Sequence, residues 1–285
     1  MHPAYLQTAL VTGATDGMGK AVATELAARG VTVLLHGRDA ARLVTTGREI
    51  RQHAPGARVR LYQADFSDLD QVRKLAEDVE RDTGRLDLLI NNAAVGRGRP
   101  GGGREESANG YELRFAVNHL APFLLTNLLL PLLRRSAPAR VVNVASAGQL
   151  PVDFDDVMLE HDYDGMRAYR QSKLALVMFT FELAQRLRAG SERTVTVNAL
   201  HPATFMNTKM AYEAGIDPVS TIADGVDATM QLAVSPMLDA MTGRYFDGMT
   251  ESRAEDQAYD ADARLRLWRL SEDLVGMHHE ATAVQ

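Results

Sequence analysis

Short runs rich in branched residues alternate with longer amphipathic stretches along almost the whole chain, and this alternation limits the fold more than any other feature. Residues 8–12, 31–36, 59–63, 86–91, 140–145 and 195–200 read as strands, while residues 20–29, 40–53, 69–83, 107–135 and 167–188 carry helical spacing. The runs 86–91 and 140–145 are apolar enough for strands buried on both faces. Strands separated by helices of this length pair in parallel through right-handed crossovers, with helices covering both sides. The expected fold class is α/β: a single doubly wound parallel sheet with helices on both faces.

The first strand runs directly into Thr12-Gly13-Ala14-Thr15-Asp16-Gly17-Met18-Gly19, and a helix follows. Glycines let the backbone turn sharply and approach a ligand, and the helix start offers free N–H groups to a pyrophosphate. Strand, turn and helix in this order are the dinucleotide-binding arrangement of a Rossmann-type domain, although the spacing is G-x-x-x-G-x-G and not G-x-G-x-x-G. After the second strand stand Gly37, Arg38 and Asp39. A 2′-phosphate favours a guanidinium, which binds it through parallel charge-assisted hydrogen bonds, so Arg38 points to NADP(H). Asp39 competes with that reading, since it could bind a ribose hydroxyl or cap the helix that begins at residue 40, and the cap is preferred because Gly37 leaves room for a phosphate.

Composition narrows the function classes. The 285 residues include no cysteine, which excludes disulfides, thiolate zinc, iron–sulfur clusters and a cysteine nucleophile. The net charge of −6, from 31 basic and 37 acidic side chains, argues against broad capture of nucleic acid or an anionic membrane. The apolar stretch 123–133 is about half a membrane span and is broken by Asn127 and Pro131. With no signal-like start, the expected setting is cytoplasmic, with no membrane, nucleic acid or metal partner. His201, His278 and His279 have no metal-ligand spacing.

Six features in order resemble the short-chain dehydrogenase/reductase family over about residues 5–250: the turn at 12–19, Asp65 after the third strand, Asn91-Asn92-Ala93 after the fourth, Asn118 in the long helix, Ser146 after the fifth strand, and Tyr169-x-x-x-Lys173. The resemblance implies Tyr169 as general acid in reduction and base in oxidation, and Lys173 as a ligand of the nicotinamide ribose. Ser146 would orient the substrate oxygen, and Asn118 would hold a water linking Lys173 to solvent. It implies cofactor contacts at Gly13, Thr15, Asp16, Gly17, Met18, Gly19, Arg38, Asp65, Phe66, Asn92, Ala93, Ala94, Tyr169, Lys173, Pro202 and Thr204.

The chemistry needs these residue types. A carbonyl accepting hydride develops negative charge on oxygen, and a phenol of pKa near 10 is slow to release a proton at neutral pH. Lys173 lies one helical turn from Tyr169 on the same face. A cation at about 4 Å in an effective dielectric of about 20 is worth roughly 4 kcal/mol before desolvation offsets part of it, which is expected to bring Tyr169 toward neutrality. An acyl-transfer role for Ser146 is disfavoured, because Ala145-Ser146-Ala147 lacks the glycine of a nucleophile elbow.

Three departures from the family pattern stand out: Ala94 for a glycine, His201-Pro202-Ala203 for Pro-Gly, and 23 positions between Ser146 and Tyr169, wider than usual. Thr204 and Thr208 both qualify for the carboxamide contact. The run 117–126 and the tail 264–274 resemble the retinol-dehydrogenase and WW-domain-oxidoreductase-like branch, which implies lipophilic alcohols and carbonyls. Residues 204–219 are expected to form a substrate lid lined by Phe205, Met206, Met210 and Tyr212. The Gly/Arg segment 96–104 reads as a solvated loop, the alternative being that its three arginines meet an anionic substrate.

The reading is one catalytic domain over residues 1–250, with a helical extension at 251–285 on or near the substrate side. It is expected to interconvert a carbonyl and an alcohol on a small, fairly apolar molecule with NADP(H), as a homo-oligomer (dimer or tetramer) pairing through the two long helices. The alternatives are an NADPH sensor without catalysis and an epimerase or dehydratase on the same fold.

Overall fold

A computed structural model describes residues 6–277 apart from 100, 191–193 and 214; His278 and His279 lie outside the described residues. Six strands fall where the sequence places them, within two residues: β1 (Thr8–Val11), β2 (Thr32–Gly37), β3 (Val59–Gln63), β4 (Leu88–Asn91), β5 (Ala139–Val144) and β6 (Val195–His201). They alternate with α1 (Gly17–Ala28), α2 (Ala40–His53), α3 (Leu69–Asp82), α4 (Leu113–Arg135) and α5 (Gly165–Ala189). After β6 come the short helix α6 (Lys209–Glu213), α7 (Ile222–Val234), strands β7 (Tyr245–Asp247) and β8 (Thr250–Ser252), and α8 (Ala261–Leu274).

The sheet order is β3-β2-β1-β4-β5-β6-β7-β8. All pairs are parallel except β7 with β8. The order reverses between β1 and β4, and a ligand crevice opens beyond the strand ends at such a point. Alternate residues of each strand enter separate cores. Leu10, Leu34, Leu89 and Val141 join one cluster; Val11, Leu35, Ile90 and Val142 join the other. Burial of each such side chain is worth roughly 1.5–3 kcal/mol.

The sequence pattern predicts a helix from residue 107, but α4 starts six residues later. Glu106 bridges to Glu112, and Gly110 turns the chain at φ +80°. Glu112 then caps the helix by accepting a hydrogen bond from Phe115 N at 2.8 Å. Residues Ala116–Leu120 of α4 form a π turn, a distortion common at functional sites, and Asn118 lies within it. By length and composition α4 could cross a membrane, yet 83% of its apolar window is buried in the fold.

Strands β7 and β8 have no counterpart in the sequence reading. Each has three residues, too few to show an alternating pattern. The C-terminal extension packs through α8 along α4 and α5. Trp268 meets Phe123 edge-on at 5.0 Å and Phe179 at 5.8 Å, and the Arg186 guanidinium lies 4.0 Å from its ring centroid. Ser271 Oγ is 2.8 Å from His119 Nε2. Helix α8 of the same chain therefore covers the part of α4 and α5 around Phe123 and Phe179, the helices through which the family resemblance places subunit pairing. The segment ahead of α8 runs beside the wide interval after Ser146, where the Gln257 side chain bonds both N and O of Val152.

Trp268 is buried, and removing a large aromatic from such a site typically costs about 3–5 kcal/mol. Trp268→Ala is expected to lower unfolding stability by that amount in urea titrations; a change under 1 kcal/mol would show that α8 is not part of the cooperative fold.

Candidate active site

The cradle begins where β1 ends. Thr12 Oγ1 accepts the N–H groups of Asn92 (2.9 Å) and Ala93 (3.0 Å), and Asn92 Nδ2 donates to Thr12 O at 2.8 Å and Gly13 O at 3.2 Å. These bonds lash the glycine turn to the end of β4. Gly13 has φ +64°, and a Cβ there would stand 2.8 Å from Ala93 Cα; one on Gly19 would overlap the Asn92 amide and Gly13 O. Neither position tolerates a side chain. Asp16 caps α1 by accepting from Gly17 N at 2.8 Å, and the first turn of a helix has further N–H groups without intrahelical partners. The residues present thus fit a bound pyrophosphate.

Two residues that the sequence reading missed complete the cradle. His36 Nδ1 accepts from Gly13 N at 3.3 Å, its backbone O accepts from Ala14 N at 2.8 Å, and its Nε2 lies 3.0 Å from Ala64 O. That geometry fixes the neutral tautomer with the proton on Nε2, and burial pushes the His36 pKa down to about 4. Arg42 donates to Thr15 O at 3.3 Å and Asp16 Oδ2 at 2.7 Å, holding the Asp16 carboxyl below its usual range. A histidine at a strand end and an arginine in a first helical turn carry no motif, so only the fold could reveal them.

Not every expected cofactor contact presents its side chain. Phe66 is buried and stacks on His36 with ring centroids 4.2 Å apart. Met18 faces α7, with Sδ 3.6 Å from Thr229 Oγ1. Asp65 accepts from Ser67 N and Oγ at 2.9 and 2.8 Å. Arg38 is exposed at the end of β2, and Asp39 caps α2 by accepting from Arg42 N at 3.0 Å. Ala94 is half-buried and Pro202 buried. The Thr204 hydroxyl is 3.0 Å from His201 Nε2, while a Cβ on Gly17 would lie 3.5 Å from the Thr208 methyl. Thr208 therefore stands over the glycine turn.

The four expected catalytic residues converge at the carboxyl end of the sheet. Ser146 Oγ accepts from Gly148 N at 3.0 Å, and the Ser146 carbonyl accepts from Gln149 Nε2 at 2.7 Å and the Tyr245 hydroxyl at 3.1 Å. Tyr245 lies on β7, the strand the sequence concealed. Asn118 grips the backbone of Val95: its Oδ1 accepts from Val95 N at 2.8 Å, and its Nδ2 donates to Val95 O and Ser172 Oγ, both at 3.0 Å. Lys173 Nζ donates to Val144 O at 2.9 Å and lies 5.8 Å from the Tyr169 ring centroid.

The electrostatics correct one expectation. Burial pushes the Tyr169 phenol above its ordinary value, opposed by a side-chain hydrogen bond with Ser146, and Lys173 is not among the groups that lower it. Burial also draws Lys173 down to about 8. The reason is burial, the largest influence on both side chains, which spacing along a helix does not reveal. Around the mouth, Met210 packs against Gly96, but Met206 turns toward Gly225 of α7, and Phe205 and Tyr212 are exposed.

The sequence profile of the short chain dehydrogenases matches residues 7–218. The chain belongs to the short-chain dehydrogenase/reductase family. Within it the chain sits in the retinol-dehydrogenase branch, as an oxidoreductase acting on CH–OH groups. It is 38% identical to mouse (Mus musculus) retinol dehydrogenase 13 over 95% of this chain and 84% of the relative. This dehydrogenase/reductase chain also resembles the crystal structure of an uncharacterised Mycobacterium paratuberculosis protein, with TM-score 0.77, 30% identity and 96% of each chain covered. An Escherichia coli CFT073 short chain dehydrogenase complexed with NADPH aligns with TM-score 0.68 and 26% identity, over 86% of this chain and 99% of the other.

His36 gives the fold an acid limit. The unfolded histidine protonates near pH 6.5 and the folded one near 4, so between those values the unfolded state holds more protons. The stabilisation is complete above about pH 6.5 and lost as pH falls toward 4, amounting to roughly 3 kcal/mol at about 1.4 kcal/mol per unit. Urea midpoints measured from pH 7 to 4 should fall across this window in the native chain and fall less in His36→Asn; equal slopes would refute the assignment.

Proposed function

We propose that this oxidoreductase uses NADP(H) to reduce a carbonyl to an alcohol on a small, fairly apolar substrate, with Tyr169 as the proton donor, in the cytoplasm. The observation that carries the reading is the meeting of Tyr169, Ser146 and Lys173 at the end of β5, beside the Gly13–Gly19 cradle. The nicotinamide, when bound, supplies the hydride. Ser146 and Tyr169 hold the substrate oxygen by hydrogen bonds, and the Tyr169 hydroxyl delivers its proton as negative charge develops there. A phenol held above its ordinary pKa is protonated throughout the neutral range, so the donor form is the one present, and the charge developing on the substrate oxygen must draw the proton from it. Lys173, cationic below about pH 8, stabilises the phenolate left behind.

Arg38 supports NADP(H) over NAD(H), and the NADPH complex of the E. coli structure supports the same choice. The name of the mouse relative supports an apolar alcohol or aldehyde. An intact set of Asn118, Ser146, Tyr169 and Lys173 weighs against a sensor, which needs only the cradle.

Three measurements test this reading. Tyr169→Phe should lower kcat by at least a thousandfold while NADPH affinity, read by fluorescence titration, changes less than threefold; retained turnover removes the acid role. Arg38→Ala should weaken NADPH binding ten- to a hundredfold, about 1.5–3 kcal/mol for charge-assisted bonds, and leave NADH binding unchanged. The reductive kcat should be flat near neutrality and fall above about pH 8 as Lys173 deprotonates; a profile flat to pH 9.5 contradicts its role.

A further inference from the structure

A buried ionic cluster lies outside the tetrad, and none of the chemistry above uses it. Glu112 and Arg114 are 1% and 3% exposed, which is costly for charged groups unless they are paired. Glu112 Oε2 accepts from Phe115 N at 2.8 Å and so caps the helix that carries Asn118 three residues later. Its other oxygen accepts from the Tyr163 hydroxyl at 3.1 Å and lies 3.5 Å from Arg114 Nη1. Tyr163 directly precedes Asp164, whose Oδ1 accepts from Arg167 N at 2.7 Å and caps α5, the helix carrying Tyr169 and Lys173. Arg114 Nε donates to Gly96 O at 3.1 Å and its Nη2 pairs with Glu105 at 2.6 Å. Gly96 follows Val95, the residue gripped at both backbone groups by Asn118. Across this junction a Cβ on Gly165 would overlap Arg97 O, so the 96–98 loop lies flush against the first turn of α5.

We propose that Glu112 is a positioning residue for the reaction: one buried carboxylate, linked through Tyr163 and Arg114, sets the first turns of α4 and α5 and the 96–98 loop relative to one another. The four side chains come from three parts of the fold, Asn118 from α4, Ser146 from the end of β5, and Tyr169 with Lys173 from α5, and displacement of a reacting group by about 1 Å can cost on the order of a hundredfold in rate. Asn118 stands six residues from Glu112, and Tyr169 six from Tyr163. Each is less than two helical turns from its anchor, so play at the anchor reaches the site with little damping. Tyr163 belongs to the wide interval between Ser146 and Tyr169, which gives that interval a mechanical part in catalysis.

The inference rests on the proposed reductase reading for its catalytic effect, and on the side-chain geometry alone for its effect on the backbone. The test uses the full chain and Tyr163→Phe, which removes one hydroxyl. Amide hydrogen exchange without cofactor is expected to quicken at least tenfold at Arg167 and Val95, with the core amides of β4 and β5 unchanged. NADPH affinity should stay within twofold, and kcat/KM for carbonyl reduction should fall at least tenfold, mainly in kcat. Glu112→Gln keeps one acceptor oxygen, for Phe115 N, and sets an amide N–H opposite the Tyr163 hydroxyl, which can rotate to accept it; it is expected to keep more activity than Glu112→Ala by at least fivefold. Exchange and kcat/KM both within twofold of the native chain in Tyr163→Phe overturn the proposal. So does a general loss of thermal stability with kcat/KM intact, the mark of a merely structural contact. If the native chain reduces no carbonyl but Tyr163→Phe still loosens Arg167 and Val95, the reductase reading fails and the positioning geometry stands.

Discussion

The binding of β1 to β4 through Thr12 and Asn92 is the join on which the site depends. One hydroxyl accepting two N–H groups and one amide donating to two carbonyls satisfy polar groups at the point where the strand order reverses. The join holds Gly13 against Ala93 so closely that no side chain fits between them. His36 closes the third side from β2. Three strands thus fix a turn of a few residues from three directions, and a ligand meets backbone whose shape is already set. Preorganisation of this kind lowers the ordering cost of binding.

A second dependence runs through α4. Its π turn carries Asn118, its N-cap carries Glu112, and its outer surface accepts α8. The helix is apolar enough to resemble a membrane span, but its apolarity is spent on neighbours: the sheet on one side and Trp268 with Phe179 on the other. A helix that is hydrophobic nearly all round needs cover nearly all round. The C-terminal extension supplies it.

Much of this was legible from residue order alone. The six parallel strands and the tetrad lie where alternation and spacing put them, because buried parallel strands and a Tyr-x-x-x-Lys turn are written in contiguous residues. What stayed hidden depends on partners far apart in the chain. Tyr245 braces Ser146 from a strand of three residues, and Glu112 looks like an ordinary acid in a polar stretch until Tyr163 and Arg114 are brought to it. The late start of α4 was partly visible in the Asn109-Gly110 pair, a turn signal outweighed by the helical spacing that follows. The raised Tyr169 pKa was out of reach, because spacing places Lys173 on the right face but does not say how completely the fold will bury the phenol.

The contact of His119 with Ser271 joins residues 152 positions apart. During synthesis, every parallel strand and both long helices leave the ribosome before the segment that covers Phe123 and Phe179. The nascent chain therefore carries an uncovered aromatic strip until residues 261–274 are made, on the order of seconds at about 5–20 residues per second. Closure of this face of α4 and α5 waits on those residues, which carry Trp268 and Ser271.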